Sequence, residues 1–358
     1  MYKIKSLEGF RIFAALSVVL YHFRGAFFPN SQLGLIDQTP LRILTAGNPV
    51  VRMLFVLSGF VVSYKYLILK KDYDNIPADM LKRYVRLAPP IIVAQLLVCF
   101  MMKAGLLFNV HAGNLSGSSN FLAQFNNFTP TWLSCIKEGL ISCYLRGGTI
   151  YIGPLWTMVY EYLGVLLVLS VLYICKSRRL RLLFYGIFLS LYSSYYNYFI
   201  LGMVLCELYG EEEITGYLRT HSIFNTVLFA GSFFVVSMLN LDDTFKVNRI
   251  VFAVSTLIFF LTLMNSSWGE RILGNRMMEK GGQLSYAVYI VHWPIIESFS
   301  SALYIWMYRQ NGGVSGYLSL LNLVLTLILI FLVAAFFQAY IEKIGQGAAN
   351  YIAKHPVP

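Results

Sequence analysis

Apolar residues in this chain come in long blocks, most of them close to the ~20 residues that a helix needs to cross a bilayer. The blocks run Leu7–Phe28, Val50–Leu69, Ala88–Phe108, Pro154–Cys175, Leu180–Tyr196, Tyr198–Tyr209, Ser222–Leu239, Arg249–Trp268, Leu284–Tyr308 and Gly316–Tyr340. This pattern predicts an all-α fold, a polytopic transmembrane bundle of about ten helices. Tyr198–Tyr209 is too short to span on its own. It either tilts in thinned lipid or continues a neighbour, so the count is nine or ten. No hydrophilic run is long enough for a separate soluble domain, and residues 1–358 read as one membrane domain. With 57% hydrophobic and only 13% charged residues, lipid is the first partner implied. The net charge of +11 does not point to nucleic acid, because the cations cluster between blocks, where they encode topology. Five cysteines lie mostly inside the blocks. They give neither a disulfide framework nor metal-ligand spacing, so no metal and no tightly bound cofactor is expected.

Lys3, Lys5 and the first block look like a signal sequence without a small-residue cleavage site, which reads as an uncleaved anchor. With ten spans and an inside N-terminus, the cytoplasmic loops hold Lys65, Lys70, Lys71, Lys82, Arg83, Arg86, Lys176, Arg178, Arg179, Arg181, Arg271, Arg276 and Lys280. Arg42, Lys137, Arg146 and Lys246 are the main cations outside. That asymmetry predicts that both termini are cytoplasmic. The longest outer loop, Asn109–Gly153, has a helix-start signal at Thr129-Pro130 and a stop at Gly147-Gly148. Between them Trp132, Leu133, Ile136, Leu140, Ile141 and Tyr144 recur at three-to-four spacing, which predicts an interfacial helix on the outer leaflet.

Ionisable residues inside spanning blocks are costly and mark function or interhelical bonding. Arg11 and His22 both lie in the first block. Eleven positions at ~100° each bring them to nearly the same face, separated by ~16 Å of rise. Glu161 is seven residues past Pro154, ~10 Å below the outer surface at 1.5 Å per residue, and Ser58 and His22 fall at a similar depth. A histidine, a carboxylate and a hydroxyl at one level suit a general base oriented by an acid; a structural hydrogen-bond network would give the same match. Trp156 and Tyr160 flank Glu161 as supporting residues. Gly59 reads as a close-packing position. Arg83 and Arg86, three apart, turn both guanidinium groups one way, as needed to grip a phosphate, or else form an ordinary topology cluster. His292 precedes Pro294, which removes the hydrogen bond to the Ile290 carbonyl, and counts to the inner half of its helix. His111, His221 and His355 lie in loops or the tail and are assigned no role.

The stretches SLEGFRIFAALSVVLYH, FVLSGF, RYVRL, LWTMVYEY and LSYAVYIVHWP, in this order, resemble the signature stretches of the acyltransferase type 3 family of integral-membrane O-acyltransferases. The family's Arg and His fall on Arg11 and His22, its Ser-Gly-Phe on Ser58, Gly59 and Phe60, its arginine pair on Arg83 and Arg86, its helix-4 acid on Glu161 and its late histidine on His292. The resemblance implies a ten-helix enzyme of the bacterial cytoplasmic membrane. It would take an acyl group, usually acetyl, from cytoplasmic acyl-CoA (acetyl-CoA) as donor substrate and deliver it to a hydroxyl of an extracytoplasmic acceptor, commonly a carbohydrate. Arg83 and Arg86 would hold the CoA phosphates, Arg11 and His292 would line the inner part, and His22 with Glu161 would activate the acceptor. One departure is Arg52, where many members carry an acid. The alternative is a transporter or exporter relaying protons through buried His and Glu, although no inverted repeat is apparent.

The topology has a direct test in two glycosylation sequons, Asn114-Leu115-Ser116 and Asn127-Phe128-Thr129. Passed through a eukaryotic secretory pathway, the loop should receive glycan, with Asn114 the better reporter. Modification by a lumenal reagent of a tag inserted between Lys65 and Lys82 would overturn the orientation.

Overall fold

The computed structural model describes residues 4–29, 34–147, 149–191, 193–239 and 246–354. Lys3, Gly148, the side chain of Lys246 and His355 lie outside the described residues. The main helices are α1 (Lys5–Phe27), α2 (Gly47–Leu67), α3 (Ile76–Lys103), α4 (Asn109–Ser116), α5 (Trp132–Lys137), α6 (Thr157–Ile174), α7 (Arg178–Leu191), α8 (Tyr196–Tyr209), α9 (Glu212–Thr220), α10 (Ser222–Met238), α11 (Lys246–Met264), α12 (Arg276–Ile295), α13 (Ser301–Asn311), α14 (Gly316–Phe337) and α15 (Lys343–Lys354). Among the described residues there is no strand. Among the described residues, six helical stretches are long and apolar enough to cross a membrane: Lys5–Phe27, Gly47–Leu67, Tyr73–Lys103, Gly153–Ile174, Val247–Met264 and Gly316–Tyr351. The pair α9 and α10, bent by 101°, makes a seventh if it is taken as one span.

Two helices differ from their sequence expectation for a clear reason. The third block was expected to begin at Ala88, with Arg83 and Arg86 at its foot, yet α3 starts at Ile76 and carries Pro89 and Pro90 inside it. Arg83 and Arg86 are therefore helical. Past Pro294, the chain does not kink out of helix but widens into a π-turn at Ile296–Ser300 before α13. The hydroxyls of Ser300 and Ser301 donate to the carbonyls of Ile295 and Ile296, at 3.3 and 2.8 Å. They add to the backbone bonds of the turn, in which the Ser301 N–H donates to the same Ile296 carbonyl.

The chain forms two compact units, each drawn from three separate segments. One comprises Met1–Ser17, Leu33–Met80 and Tyr160–Gln283. Its tightest seam is α2 against α8. A Cβ at Gly59 would overlap the Phe199 carbonyl, and one at Gly202 would overlap the backbone of Val56 and Phe60. The two backbones therefore approach as close as glycine allows, and Phe55 stacks on Phe199 with ring centroids 5.0 Å apart. The packing reading of Gly59 is thus what the geometry shows. Below the seam, Arg181 donates to Glu207 at 2.7 Å and to the Lys176 carbonyl at 2.8 Å.

The second unit comprises Val18–Gln32, Leu81–Val159 and Leu284–Pro358. It contains the long loop, which is more structured than its sequence indicates. α4 was not foreseen. The expected helix is present: Thr131 caps it by accepting from Ser134 N–H, it runs through a π-turn at Glu138–Ser142 to Leu145, and Gly147 follows with a positive φ of 67°. Trp132, Leu133, Ile136, Leu140 and Ile141 are exposed along it, whereas Tyr144 is buried. Its inner side is held by Glu138, a carboxylate that accepts from Gln95 at 3.2 Å and from the N–H groups of Ile150 and Tyr151 at 3.1 and 3.3 Å. Burial pushes the Glu138 carboxyl above the usual carboxylate range, and those two backbone donors only partly oppose it.

Replacing Gly59 or Gly202 by Ala should force α2 and α8 apart. Overpacking of this kind typically costs about 1–3 kcal/mol. The expected result is a clear fall in the thermal midpoint of the detergent-solubilised protein, read by size-exclusion after heating. Gly231→Ala, at a position with open space around it, should leave the midpoint near wild type.

Candidate active site

The second unit brings two histidines into direct contact. His22 Nδ1 lies 3.1 Å from His292 Nε2, and the ring centroids are 5.1 Å apart. His292 is fully buried, while His22 keeps part of its surface accessible. The depth count that put His292 in the inner half and His22 in the outer half is therefore corrected. It measured each residue from an assumed helix end, and α12 begins at Arg276 rather than Leu284.

Donor and acceptor roles follow from the third member of the chain. His292 Nδ1 is 2.7 Å from the Tyr289 carbonyl oxygen, which can only accept, so that nitrogen carries a proton. With both rings neutral, His292 Nε2 is then an acceptor and His22 Nδ1 donates to it. That tautomer leaves a lone pair on His22 Nε2. Tyr289 is itself held: its hydroxyl donates to the Pro154 carbonyl and meets Thr157 Oγ1 at 2.6 Å.

Aromatic rings wall the pair. Phe121 stacks on His22 at 6.1 Å and 17°. Trp293, fully buried, meets His22 edge-on at 5.1 Å and packs against Phe121 and Phe125 at 5.7 and 5.0 Å. Tyr21 adds an edge contact at 5.2 Å. Apolar walls of this kind keep bulk water from a base and strengthen the few polar contacts inside.

Elsewhere in this unit, Arg83 is half-buried and Arg86 exposed on α3. Arg86 interacts electrostatically with Glu342, a buried carboxylate that went unnoticed in the sequence. Gly345 lets the last segment approach the Arg86 carbonyl, at 2.5 Å from where its Cβ would sit. Trp156, half-buried, ends the turn Gly153–Trp156 ahead of α6.

The remaining candidates lie in the first unit. Ser58 Oγ donates to Glu161 Oε1 at 2.9 Å, so these two residues of α2 and α6 are brought together as their depth match anticipated. Tyr160 packs with Tyr195 and Tyr196 at 4.8 and 5.3 Å. Arg11 forms an ion pair with Glu8 at 3.1 Å, a partner three residues back that the sequence reading passed over. Arg52 is buried; its Nε donates to Asn48 at 3.0 Å and its Nη1 to the Tyr198 hydroxyl at 3.0 Å, with the Tyr195 ring 5.3 Å away. Among the described residues, no group of three His, Cys, Asp or Glu is arranged to hold a metal ion.

Glu138, Glu297 and Glu342 were missed, although each had a signal: a lone carboxylate inside or beside an apolar helix. Glu297 is wholly buried, and both of its oxygens accept from Asn126 Nδ2 at 2.8 Å.

Comparison with known proteins fits this picture. A family model described as an acyltransferase domain matches residues 4–339. The acyltransferase MdmB of Streptomyces mycarofaciens is 28% identical over 164 residues, which cover 45% of this chain and 37% of that protein. A Staphylococcus aureus (strain COL) protein, provisionally named an O-acetyltransferase, is 22% identical over 390 aligned positions, covering 97% of this chain and 59% of its own length. The O-acetyltransferase PaAT-1 of Phomopsis amygdali is 21% identical over 371, covering 83% of this chain and 73% of its own. The chain thus spans well under two thirds of the first two relatives. No solved structure matches. With nearly its whole length matched, the chain belongs to the acyltransferase type 3 family of integral-membrane O-acyltransferases.

Proposed function

We propose that this protein transfers an acyl group, acetyl in keeping with its relatives' names, from cytoplasmic acyl-CoA to a hydroxyl of an extracytoplasmic carbohydrate. The observation that carries this reading is the chain from the Tyr289 carbonyl through His292 to His22, which leaves a lone pair on His22 Nε2. His22 is the general base. It takes the proton of the acceptor hydroxyl as that oxygen attacks the thioester carbonyl, the C–O bond forms, and the C–S bond breaks. The proton then passes to the departing thiolate, so CoA leaves as the thiol. His292, assigned to the donor on sequence grounds, acts here as the orienting partner of His22: it fixes the tautomer and lets the positive charge that develops on His22 spread into a hydrogen bond.

Glu161, paired with Ser58, serves the acceptor, with Tyr160 and Trp156 in support. Arg83 and Arg86 hold the donor phosphates, and Glu342 sets the direction of Arg86. Arg11, braced by Glu8, lines the donor path. Counting α7, α8 and the α12–α13 helix as spans beside the six long ones and α10 gives a ten-helix domain with both termini cytoplasmic, in the cytoplasmic membrane of a bacterium. A donor made in the cytosol and an acceptor outside require such a path across the bilayer.

His22→Ala should lower kcat by roughly 10²–10⁴ with normal membrane abundance, and His22→Gln should not restore it, because an amide does not take up that proton. Purified His22→Gln that is folded and transfers acetyl at the wild-type rate would remove His22 from the site.

Arg83→Ala and Arg86→Ala should raise the KM for acyl-CoA by more than they change the KM for the acceptor, since a phosphate contact is made already in the ground state. Wild-type donor kinetics in both variants would argue against the clamp. Labelled acetyl-CoA supplied to membranes, with the labelled product identified, tests the reaction itself; donor hydrolysis that ignores added acceptor sugar would favour a different class of protein.

A further inference from the structure

Glu297 is the one buried carboxylate beside the histidine pair that the proposed chemistry leaves unused. It sits in the π-turn after Pro294, five residues past His292, with no solvent exposure. A carboxylate in such a place must be met by donors, since burial without them would be prohibitive. Its carboxylate oxygens both accept from Asn126 Nδ2 at 2.8 Å. Its backbone carbonyl accepts from Phe108 N–H at 2.9 Å. One residue therefore holds both ends of the segment from Phe108 to Asn126.

What lies between those ends is the aromatic wall. Phe121, stacked on His22, and Phe125, packed on Trp293, are both in this segment. Further bonds brace it. Asn109 Nδ2 donates to the carbonyls of Leu122 and Phe125 at 3.2 and 2.7 Å, and the hydroxyls of Ser116 and Ser118 donate to the carbonyls of Ala26 and Gly25 at 2.7 and 2.6 Å. Asn126 adopts a positive φ of 53°, a conformation that asparagine tolerates better than most residues and that turns its amide to Glu297. Phe121 lies so close to α1 that a Cβ at Gly25 would be 2.7 Å from its ring.

We propose that Glu297 is a positioning residue: through Asn126 and Phe108 it seats the Phe121 wall against His22, and this wall keeps the imidazole turned toward His292. The role rests on the reading of His22 as the base. A tilt of the ring moves the Nε2 lone pair off the acceptor proton, and misplacement by about 1 Å can cost on the order of 10²-fold in rate. The donor-binding arginines are untouched by it.

The experiment compares Glu297→Gln, Asn126→Ala and Gly25→Ala in the full-length membrane protein. Glu297→Gln keeps the shape but turns one acceptor into a donor facing Asn126. Gly25→Ala displaces Phe121 without touching Glu297, so the wall is tested even where the clamp variants fold poorly. Each is read by kcat, by the KM for acyl-CoA and, without reference to turnover, by the rate at which diethyl pyrocarbonate modifies His22, followed by peptide mass spectrometry. The expected result is a kcat reduced about 10- to 100-fold, a donor KM within about twofold and a several-fold faster modification of His22. Added to His22→Gln, Glu297→Gln should cause no further loss, because residues acting as a unit are not additive. Wild-type modification rates in both Glu297→Gln and Gly25→Ala would overturn the proposal, as would an equal loss from Glu297→Gln with and without His22. Should His22→Gln prove fully active, the base assignment fails alone, and the modification rate still decides whether Glu297 seats the ring.

Discussion

Hydrocarbon offers no water to a polar side chain, and nearly every feature of this protein's interior follows from that constraint. Several polar groups set in apolar helices are met by others: His22 by His292, Ser58 by Glu161, Arg52 by Asn48 and Tyr198, Glu297 by Asn126. In water such bonds would exchange freely with solvent and count for little net free energy. In a dry interior the cost of leaving one unmade fixes which helices must be neighbours.

The same constraint shapes the backbone. α2 and α8 approach through Gly59 and Gly202, where there is no side chain to hold them apart, and dispersion contacts replace the hydrophobic drive that lipid does not supply. Pro294 would leave carbonyls exposed in a plain kink. The π-turn that follows, Ile296–Ser300, keeps the chain helical; His292 lies four residues before it and Glu297 within it. A local irregularity thus positions both the histidine pair and the residue that braces its wall.

Charges with close partners change how the cationic residues are understood. Arg11 is ion-paired with Glu8 at 3.1 Å, and the buried Glu342 carboxylate feels the charge of Arg86. A guanidinium group held by a carboxylate gives up less side-chain freedom when it meets a further anion. Arg52 is buried among Asn48, Tyr195 and Tyr198. Its guanidinium ties the first turns of α2 and α8 together.

The all-helical multi-pass fold and the family were legible in the sequence, because block length and motif order are local properties of the chain. The helix in the long loop was legible for a similar reason: Thr129-Pro130, the apolar spacing and Gly147 act within a few residues, although the cap itself is Thr131. Partner choice was legible only in part: the depth count put His22, Glu161 and Ser58 at one level, and the hydrogen bonds join Glu161 to Ser58 but His22 to His292. Which residues meet depends on helix rotation and on exact starts, as with α12 at Arg276 and α3 at Ile76. Rotations and starts are decided by side-chain packing between helices that are far apart in the chain. Only the tertiary structure carries that information, and it alone brought Glu297 and the Phe121 wall to the histidine pair.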